Sequence, residues 1–415
     1  MAWTPSRAPR VLYCTDTYPP QVNGVSVVTA ESITGLRARG WETAVVTPRY
    51  PEVPQHGVRQ FADDFGRADR VDAVASVAFP PYPDIRLAAP AYHRVARAIR
   101  EFRPDIVHCA TEFMLGRLGQ VAARRAGIPF VTSYHTDFSR YTESYGTPWL
   151  RGTVNGYLAR FHGRAMRTYT PSERAKADLH RIGVTHVEVW GRTIDAQTFS
   201  PSRRDPAWRR AAGVDDRVVF LHVGRLAAEK GVHRILEGFR LARELLPRQS
   251  IHLIIAGGGP EEGALRAAAP DGVSFLGVLD RQEELPRLYA SADAFLFTSV
   301  TETLGLVVLE AMASGLPVVA VPAGGVADHL VPEVNGIAVR EDDPASMAHA
   351  IVELTMRLEL RRKLAAGARR TAEVLDWQRE LDRLDASYRE VCASAAASEP
   401  SFASPWQHGR AAVGT

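Results

Sequence analysis

Lysine is nearly missing from this 415-residue chain: of its 50 basic residues 47 are arginine, and lysine stands only at Lys176, Lys230 and Lys363. GC-rich codon usage accounts for the arginines without functional pressure, so the surviving lysines are the ones worth locating. Cysteine is equally sparse. Cys14, Cys109 and Cys392 are an odd number, lie far apart and form no C-x-x-C, which excludes a disulfide framework and a zinc site. That scarcity fits a reducing cytosol. The first ten residues are polar and contain proline, so no secretory leader is expected. No apolar run approaches the ~18 residues of a spanning helix, and the longest, Leu304 to Val321, is broken by Glu310, Ser314, Gly315 and Pro317. Net charge is slight at +3, too small for a nucleic-acid binder.

Several motifs are absent as well. No G-x-G-x-x-G follows a predicted strand, which disfavours a nicotinamide dehydrogenase. No G-x-x-x-x-G-K-[ST] marks a P-loop, and no G-x-S-x-G marks an α/β-hydrolase. No Asp-x-Asp pair stands ready to hold a divalent ion against a diphosphate. No metal or cofactor is therefore implied.

What is present is an ordinary soluble composition, 46% hydrophobic and 23% charged, with two successive α/β blocks. In the first, short apolar runs at Val11–Cys14, Thr43–Thr47, Asp105–Ala110, Gly127–Tyr134 and Val187–Trp190 alternate with helical patterns such as Val25–Arg39. The second begins at Val218–Val223 and continues through Ile251–Ala256, Val273–Leu276, Ala294–Thr298 and Pro317–Val321. The reading is α/β, with two doubly wound domains, residues 1–195 and residues 196–375, facing across a cleft. A C-terminal helix at 376–392 follows, then a disordered Ala/Ser/Gly-rich tail at 393–415. Ligands of open α/β sheets bind beyond the carboxyl ends of the strands, so functional residues are expected just after these runs.

Four such segments stand out. Glu302 and Glu310 follow the strand Phe295–Ser299. On one continuous helix they would lie ~12 Å apart along the axis and ~80° apart around it. That is too far for a retaining glycosidase pair but suits two carboxylates gripping different hydroxyls of one long ligand. Two solvated glutamates on an amphipathic helix remain the alternative, although Glu310 sits among apolar neighbours where an unpaired carboxylate is costly. In Val223-Gly224-Arg225-Leu226-Ala227-Ala228-Glu229-Lys230-Gly231, Lys230 falls at a helix start, where a cation is disfavoured unless an anion binds. Arg225 and Lys230 converging on a diphosphate compete with a reading as solvated surface charges. The loop Thr15 to Gly24, with Asp16, Tyr18, Gln21 and Asn23, opens a helix at Gly24, whose backbone N–H could meet a phosphate or hydroxyl. In Tyr134-His135-Thr136-Asp137, His135 is either a ligand to a sugar hydroxyl or a satisfied structural histidine.

The Glu302-x7-Glu310 spacing, with Gly-Arg225-x4-Lys230 upstream, resembles the retaining glycosyltransferases of family 4, over about Val11 to Val391. The resemblance implies the GT-B architecture, two Rossmann-like domains across a cleft. Gln21-Val22-Asn23-Gly24, Tyr134-His135-Thr136 and Trp190-Gly191-Arg192, followed by Asp195 and Phe199-Ser200-Pro201, look most like a branch of GDP-mannose-dependent α-mannosyltransferases acting on lipid or glycan acceptors. Glucosyl, N-acetylglucosaminyl and sulfoquinovosyl transferases rank below. The resemblance implies a metal-independent hexosyltransferase, with a nucleotide sugar, GDP-mannose, as donor substrate. Glu310 would hold the ribose hydroxyls and Glu302 the donor sugar. Arg225 and Lys230 would hold the diphosphate as it leaves. Backbone at Gly24, Leu304, Gly305 and Leu306 would add donors, Gly277 and Val278 would lie against the base, and His135 would face the reacting sugar. These make His135, Arg225, Lys230 and Glu302 the expected catalytic set and Asp16, Tyr18, Gln21 and Asn23 the acceptor-side set. Leu304 and Thr193 depart from residues common in the family, an aromatic and a glycine.

Two other readings are a nucleotide-sugar epimerase of the same fold and a nucleotide-sugar or glycan-binding protein without turnover. The spacing of Glu302 and Glu310 argues against the first, and intact Arg225, Lys230, Glu302 and Glu310 against the second. Val154, Tyr157, Leu158 and Phe161 share a helical face near Arg160, Arg164 and Arg167, and Arg94, Arg97 and Arg100 form a second basic strip. A weak peripheral contact with anionic lipid at the inner membrane face competes there with plain core packing.

Overall fold

The computed structural model describes residues 7–21, 23–50, 68–79, 82–137, 146–247 and 249–397. The first half builds a seven-stranded sheet from β1 (Arg10–Cys14), β2 (Glu42–Pro48), β3 (Arg70–Val74), β6 (Ile106–Cys109), β7 (Phe130–Ser133), β8 (Thr168–Thr170) and β9 (Val187–Val189). Their order is β3-β2-β1-β6-β7-β8-β9, parallel throughout. Between β3 and β6 the hairpin β4 (Ser76–Phe79) and β5 (Tyr82–Ala88) stands apart. The second half builds a six-stranded parallel sheet from β10 (Val218–Val223), β11 (Ile251–Ala256), β12 (Val273–Gly277), β13 (Ala294–Phe297), β14 (Val318–Ala320) and β15 (Gly336–Ala338), in the order β12-β11-β10-β13-β14-β15.

Parallel sheets are covered by helices on both faces, so their strands read as unbroken apolar runs rather than as alternation. Val11, Leu12, Tyr13 and Cys14 of β1 are all at most 1% exposed. Such runs made the central strands visible in the sequence. The edge strands β3 and β15, the inner strand β8 and the β4–β5 hairpin were not expected, because they are short, polar or broken by glycine.

Strand order reverses once in each sheet. In the first it reverses between β1 and β6, and in the second between β10 and β13. Each reversal opens a crevice between the loops that leave the two central strands, the usual ligand site of such sheets. The helices bounding these crevices are α1 (Gly24–Ala38), α2 (Met114–Arg125) and α3 (Arg151–His162) in the first half. In the second they are α4 (Val232–Leu245) and α5 (Leu306–Ala313).

The C-terminal helix α6 (Trp377–Ala397) returns to the first half. Trp41 donates to Asp385 and the Trp190 indole to the Glu380 carbonyl, each at 2.6 Å. Tyr388, fully buried, bonds the Tyr13 hydroxyl at 2.9 Å and the His108 ring at 2.5 Å. The helix runs to Ala397, five residues into the stretch expected to be a disordered tail from Ala393. Alanine has the highest helix propensity, and extending a formed helix avoids the cost of nucleation. The rest of that tail, 398–415, lies outside the described residues.

The face considered for lipid contact is half internal. Leu158 and Phe161 are each 1% exposed, while Tyr157 is 36% exposed and donates to the Glu112 carbonyl. Arg167 pairs with Glu188 and Glu390. Among the described residues no helix is long and apolar enough to cross a membrane.

Candidate functional site

The second-half crevice is lined by the loops after β10 and β13. Residues Ala228–Lys230 make a single 3-10 turn that ends at Gly231 (φ 63°), whose left-handed backbone starts α4. Thr298, just past β13, donates to the carbonyls of Lys230 and Gly231, both at 3.0 Å, and so pins one loop to the other. Lys230 Nζ donates to Glu302 Oε1. Arg225 Nη2 donates to Glu229 Oε1, and Glu229 is 4% exposed. The penalty foreseen for Lys230 at a helix start is thus offset by a carboxylate. Burial pushes the Glu302 carboxyl up, while Lys230, Ser299 and Arg225 pull it down, and its pKa lies below the usual Glu value.

Glu302 and Glu310 do not share a helix. Helix α5 begins only at Leu306, because Gly305 at φ 77° takes a left-handed conformation that breaks the run. The 12 Å spacing expected for a continuous helix therefore does not apply. Glu302 rides an irregular loop, while Glu310 lies in the second turn of α5. The loop is held from beneath: Gly325 N donates to the Glu302 carbonyl at 2.7 Å, and a Cβ on Gly325 would fall 2.2 Å from the Thr303 carbonyl oxygen. Leu304 is 7% exposed and packs in the core, and Gly305 and Leu306 present the start of α5 to the crevice.

Glu310 is fully buried, and both its oxygens are engaged. Arg281 Nη1 donates to Oε1, and the Tyr289 hydroxyl donates to Oε2 at 3.0 Å. The Arg281 guanidinium also lies 5.2 Å over the Phe199 ring. These partners resolve the cost foreseen for a lone carboxylate at this position. Sequence reasoning missed Arg281, Tyr289, Glu229 and the Gly324-Gly325 support. Only the Asp280 turn, in which its carboxylate caps Gln282 and Glu283, hinted that Arg281 has a fixed place. Gly277 (φ 71°) ends β12, and Val278 beside it is 75% exposed.

The first-half crevice lies between the loops after β1 and β6. Asn23 caps α1 by accepting from Ser26 N at 2.9 Å, and its amide donates to Thr17 at 2.7 Å. Gln21 Oε1 accepts from Thr17 and from Tyr50. Asp16 accepts from Thr111 Oγ1 at 2.7 Å and from Leu115 N at 3.0 Å, tying the β1 loop to the start of α2. Burial raises its pKa despite these bonds. Tyr18 is 5% exposed and belongs to the core. The four acceptor-side candidates are brought together, but their polar groups build the loop itself. Val22 lies outside the described residues. Gly24 is exposed, and nothing stands within 4 Å of where its Cβ would be.

His135 is half-buried. Burial first, and then His162, push its pKa down to about 4, which leaves a neutral imidazole. Its carbonyl accepts a 2.6 Å hydrogen bond from Thr303 Oγ1, a residue of the loop that carries Glu302. That bond joins the two crevices. Beside it opens a polar cavity of about 380 Å³ lined by Tyr134, Asp137, Arg151, Asn155 and Asp178. Among the described residues no group of three or more His, Cys, Asp or Glu side chains is placed to hold a metal ion.

Comparison with known proteins accords with this geometry. Residues 22–198 match the model of "Glycosyltransferase Family 4", and residues 217–357 that of "Glycosyl transferases group 1". The chain is 34% identical to a GDP-mannose-dependent alpha-mannosyltransferase of Mycobacterium tuberculosis over 92% of its own length and 97% of that protein's. A GDP-mannose-dependent alpha-mannosyltransferase of Corynebacterium glutamicum is 30% identical, over 93% and 90%. A sulfoquinovosyl transferase of Arabidopsis thaliana is 32% identical, over 83% and 66%. Among solved structures, sucrose-phosphate synthase of Thermosynechococcus elongatus superposes with a TM-score of 0.74 at 20% identity, covering 94% of this chain and all of that one. Anabaena HepE in complex with UDP and glucose superposes at 0.71 with 21% identity, over 91% and 98%.

Proposed function

The chain is a glycosyltransferase of family 4 with the GT-B fold, and from that premise we propose that it moves a mannosyl group from GDP-mannose to a hydroxyl of a lipid or glycan acceptor, with retention and without metal. The observation that carries the reading is the clustering of Arg225, Lys230 and Glu302 at the strand-order reversal of the second sheet, beside the start of α5. What supports mannose and guanine is the likeness, over nearly the whole chain, to proteins named for that donor.

Lys230 and Arg225 exchange their carboxylates for diphosphate oxygens. The bond from the sugar C1 to the phosphate oxygen breaks with its electron pair left on the diphosphate, where the two fixed cations stabilise the developing charge. The acceptor oxygen forms the new bond to C1 on the same face, and its proton passes to a donor phosphate oxygen. Glu302, released by Lys230, binds hydroxyls of the sugar. Glu310 takes the ribose hydroxyls in competition with Arg281, and Val278 lies against the base. The neutral His135 ring faces the sugar from the other side. Closure of the crevices excludes water and disfavours hydrolysis.

Thermal melting with GDP-, UDP- and ADP-sugars tests this. A donor at 100 times its Kd adds about 2.7 kcal/mol of stability. Stabilisation by GDP-mannose alone fits the reading, stabilisation by a UDP-sugar alone replaces the donor, and none by any nucleotide sugar refutes it. The anomeric configuration of the first product, followed by NMR, decides retention.

A further inference from the structure

Glu112 leaves β6 at the reversal point of the first sheet, in the loop that also carries Thr111, the partner of Asp16. Its side chain is 5% exposed, and among the described residues no hydrogen bond reaches its Oε1. The group nearest to it in kind is His162 Nε2, 3.5 Å away on the last residue of α3, which also has no hydrogen-bond partner. His162 is held by its other nitrogen, which bonds Thr132 Oγ1 at 3.0 Å, and by the Tyr134 ring, edge-on at 5.6 Å. A buried carboxylate oxygen whose one polar neighbour is an imidazole nitrogen at 3.5 Å is expensive, and folded proteins rarely keep one without use.

Its surroundings suggest what that use is. Asp16, Gln21 and Asn23 spend their polar atoms on the loop after β1. Glu112 is the carboxylate of this crevice with capacity to spare. It lies within electrostatic reach of Asp16, Tyr134 and Tyr157. His162 acts in turn on His135, whose carbonyl touches the loop of Glu302 through Thr303. The pair thus lies behind the first crevice, linked through His135 to the loop that carries Glu302.

We infer that Glu112 is an acceptor-binding residue, accepting a hydrogen bond from a hydroxyl of a polyol or sugar acceptor, and that His162 is the positioning residue that holds its carboxylate from behind. The inference rests on the glycosyl-transfer reading and assigns the acceptor class as a hydroxyl-rich group. No proton need leave the acceptor to Glu112, since the donor phosphate takes it.

The test uses the full chain with GDP-mannose and two acceptor probes, glycerol and methyl α-D-mannoside, and reads transfer product against free mannose from hydrolysis. Glu112→Gln is expected to lower the transfer-to-hydrolysis ratio at least about tenfold, the worth of one hydrogen bond to a charged group. Hydrolysis rate, donor KM and stabilisation by GDP should stay within about twofold of wild type. His162→Asn, too short to reach Glu112, should lower the ratio in the same direction. His162→Gln, whose amide replaces Nε2, should restore it, which a merely structural histidine would not do. If Glu112→Gln does not fold, Glu112→Asp reads the same ratio. An unchanged ratio in Glu112→Gln or Glu112→Asp overturns the inference, as does a matching loss of GDP stabilisation. A wild type that hydrolyses GDP-mannose and transfers to neither probe overturns it too. A wild type with no donor turnover at all refutes the transfer reading instead.

Discussion

Replacing Arg281 by methionine removes the cation that pairs with Glu310 while keeping most of the stem that packs on Phe199. Glu310 is fully buried, and its partner's side chain is only 14% exposed. Breaking a buried ion pair from one side costs about 3–5 kcal/mol, chiefly for the charge left behind. Tyr289 keeps its hydrogen bond to the other oxygen, and Arg281 is not wholly sealed, so the loss should fall at or just below the lower limit of that range, roughly 2–3 kcal/mol. At ~2–4 °C per kcal/mol for a unit of this size, the melting temperature of the ligand-free protein should fall by roughly 4–12 °C. Glu310→Gln should cost less, because it leaves a cation that can still reach water. The double variant Arg281→Met/Glu310→Gln should lose at least ~1 kcal/mol less than the two single losses together. The assay is thermal or urea unfolding of all four proteins without nucleotide. Single losses that add within ~0.5 kcal/mol would show that the two groups do not interact and would refute the pairing.

Three further outcomes follow from the site and its supports. Lys230→Ala should lower turnover about 10²–10³-fold, the usual worth of one preorganised charge partner, with a smaller change in donor affinity; steady-state kinetics at saturating donor reads the two apart. His108, His222 and His329 are at most 3% exposed, and burial pushes their pKa values down to about 3, 4 and 3. The unfolded chain binds a proton at each below ~6.5 and the folded chain does not, so stability is full above that pH and is lost as pH falls towards 4, by up to ~1.4 kcal/mol per pH unit for each ring. Melting temperature against pH measures this, and His222→Phe, at a ring that packs beside Phe295 and Phe297, should flatten the slope. Gly325→Ala would drive a methyl against the Thr303 carbonyl and displace the Glu302 loop, so donor KM should rise several-fold more than stability falls.

The parallel sheets were legible because buried strands write themselves as apolar runs, and Val11–Cys14 and Ile251–Ala256 could not be read otherwise. The position of Arg225 and Lys230 after Val218–Val223, and of Glu302 after Ala294–Phe297, was legible for the same reason. The start of α5 was not, since the apolar sequence around Leu304–Leu309 favours a longer helix and only the left-handed Gly305 decides against it. Partner choice was also hidden. Nothing local tells Arg281 to find Glu310, 29 positions away, or brings Glu112 to His162. Such pairs are set by which loops share a crevice, and the reversal of strand order that creates the crevice is a property of the assembled sheet.

The return of α6 to the first half has a consequence for the order in which the molecule is made. Tyr13 and His108 leave the ribosome before any of the second sheet, yet Tyr388, which bonds them both, leaves after all of it. Between Val189, the end of the first sheet, and Tyr388 lie about 200 residues, roughly 10–40 s of synthesis at 5–20 residues per second. For that interval the first sheet carries an uncovered groove where Trp41, Tyr169 and Trp190 await the helix. The second half can close its own core meanwhile. The nascent chain therefore holds one finished body and one unfinished body in tandem, and the segment that completes the older of the two is translated after both sheets.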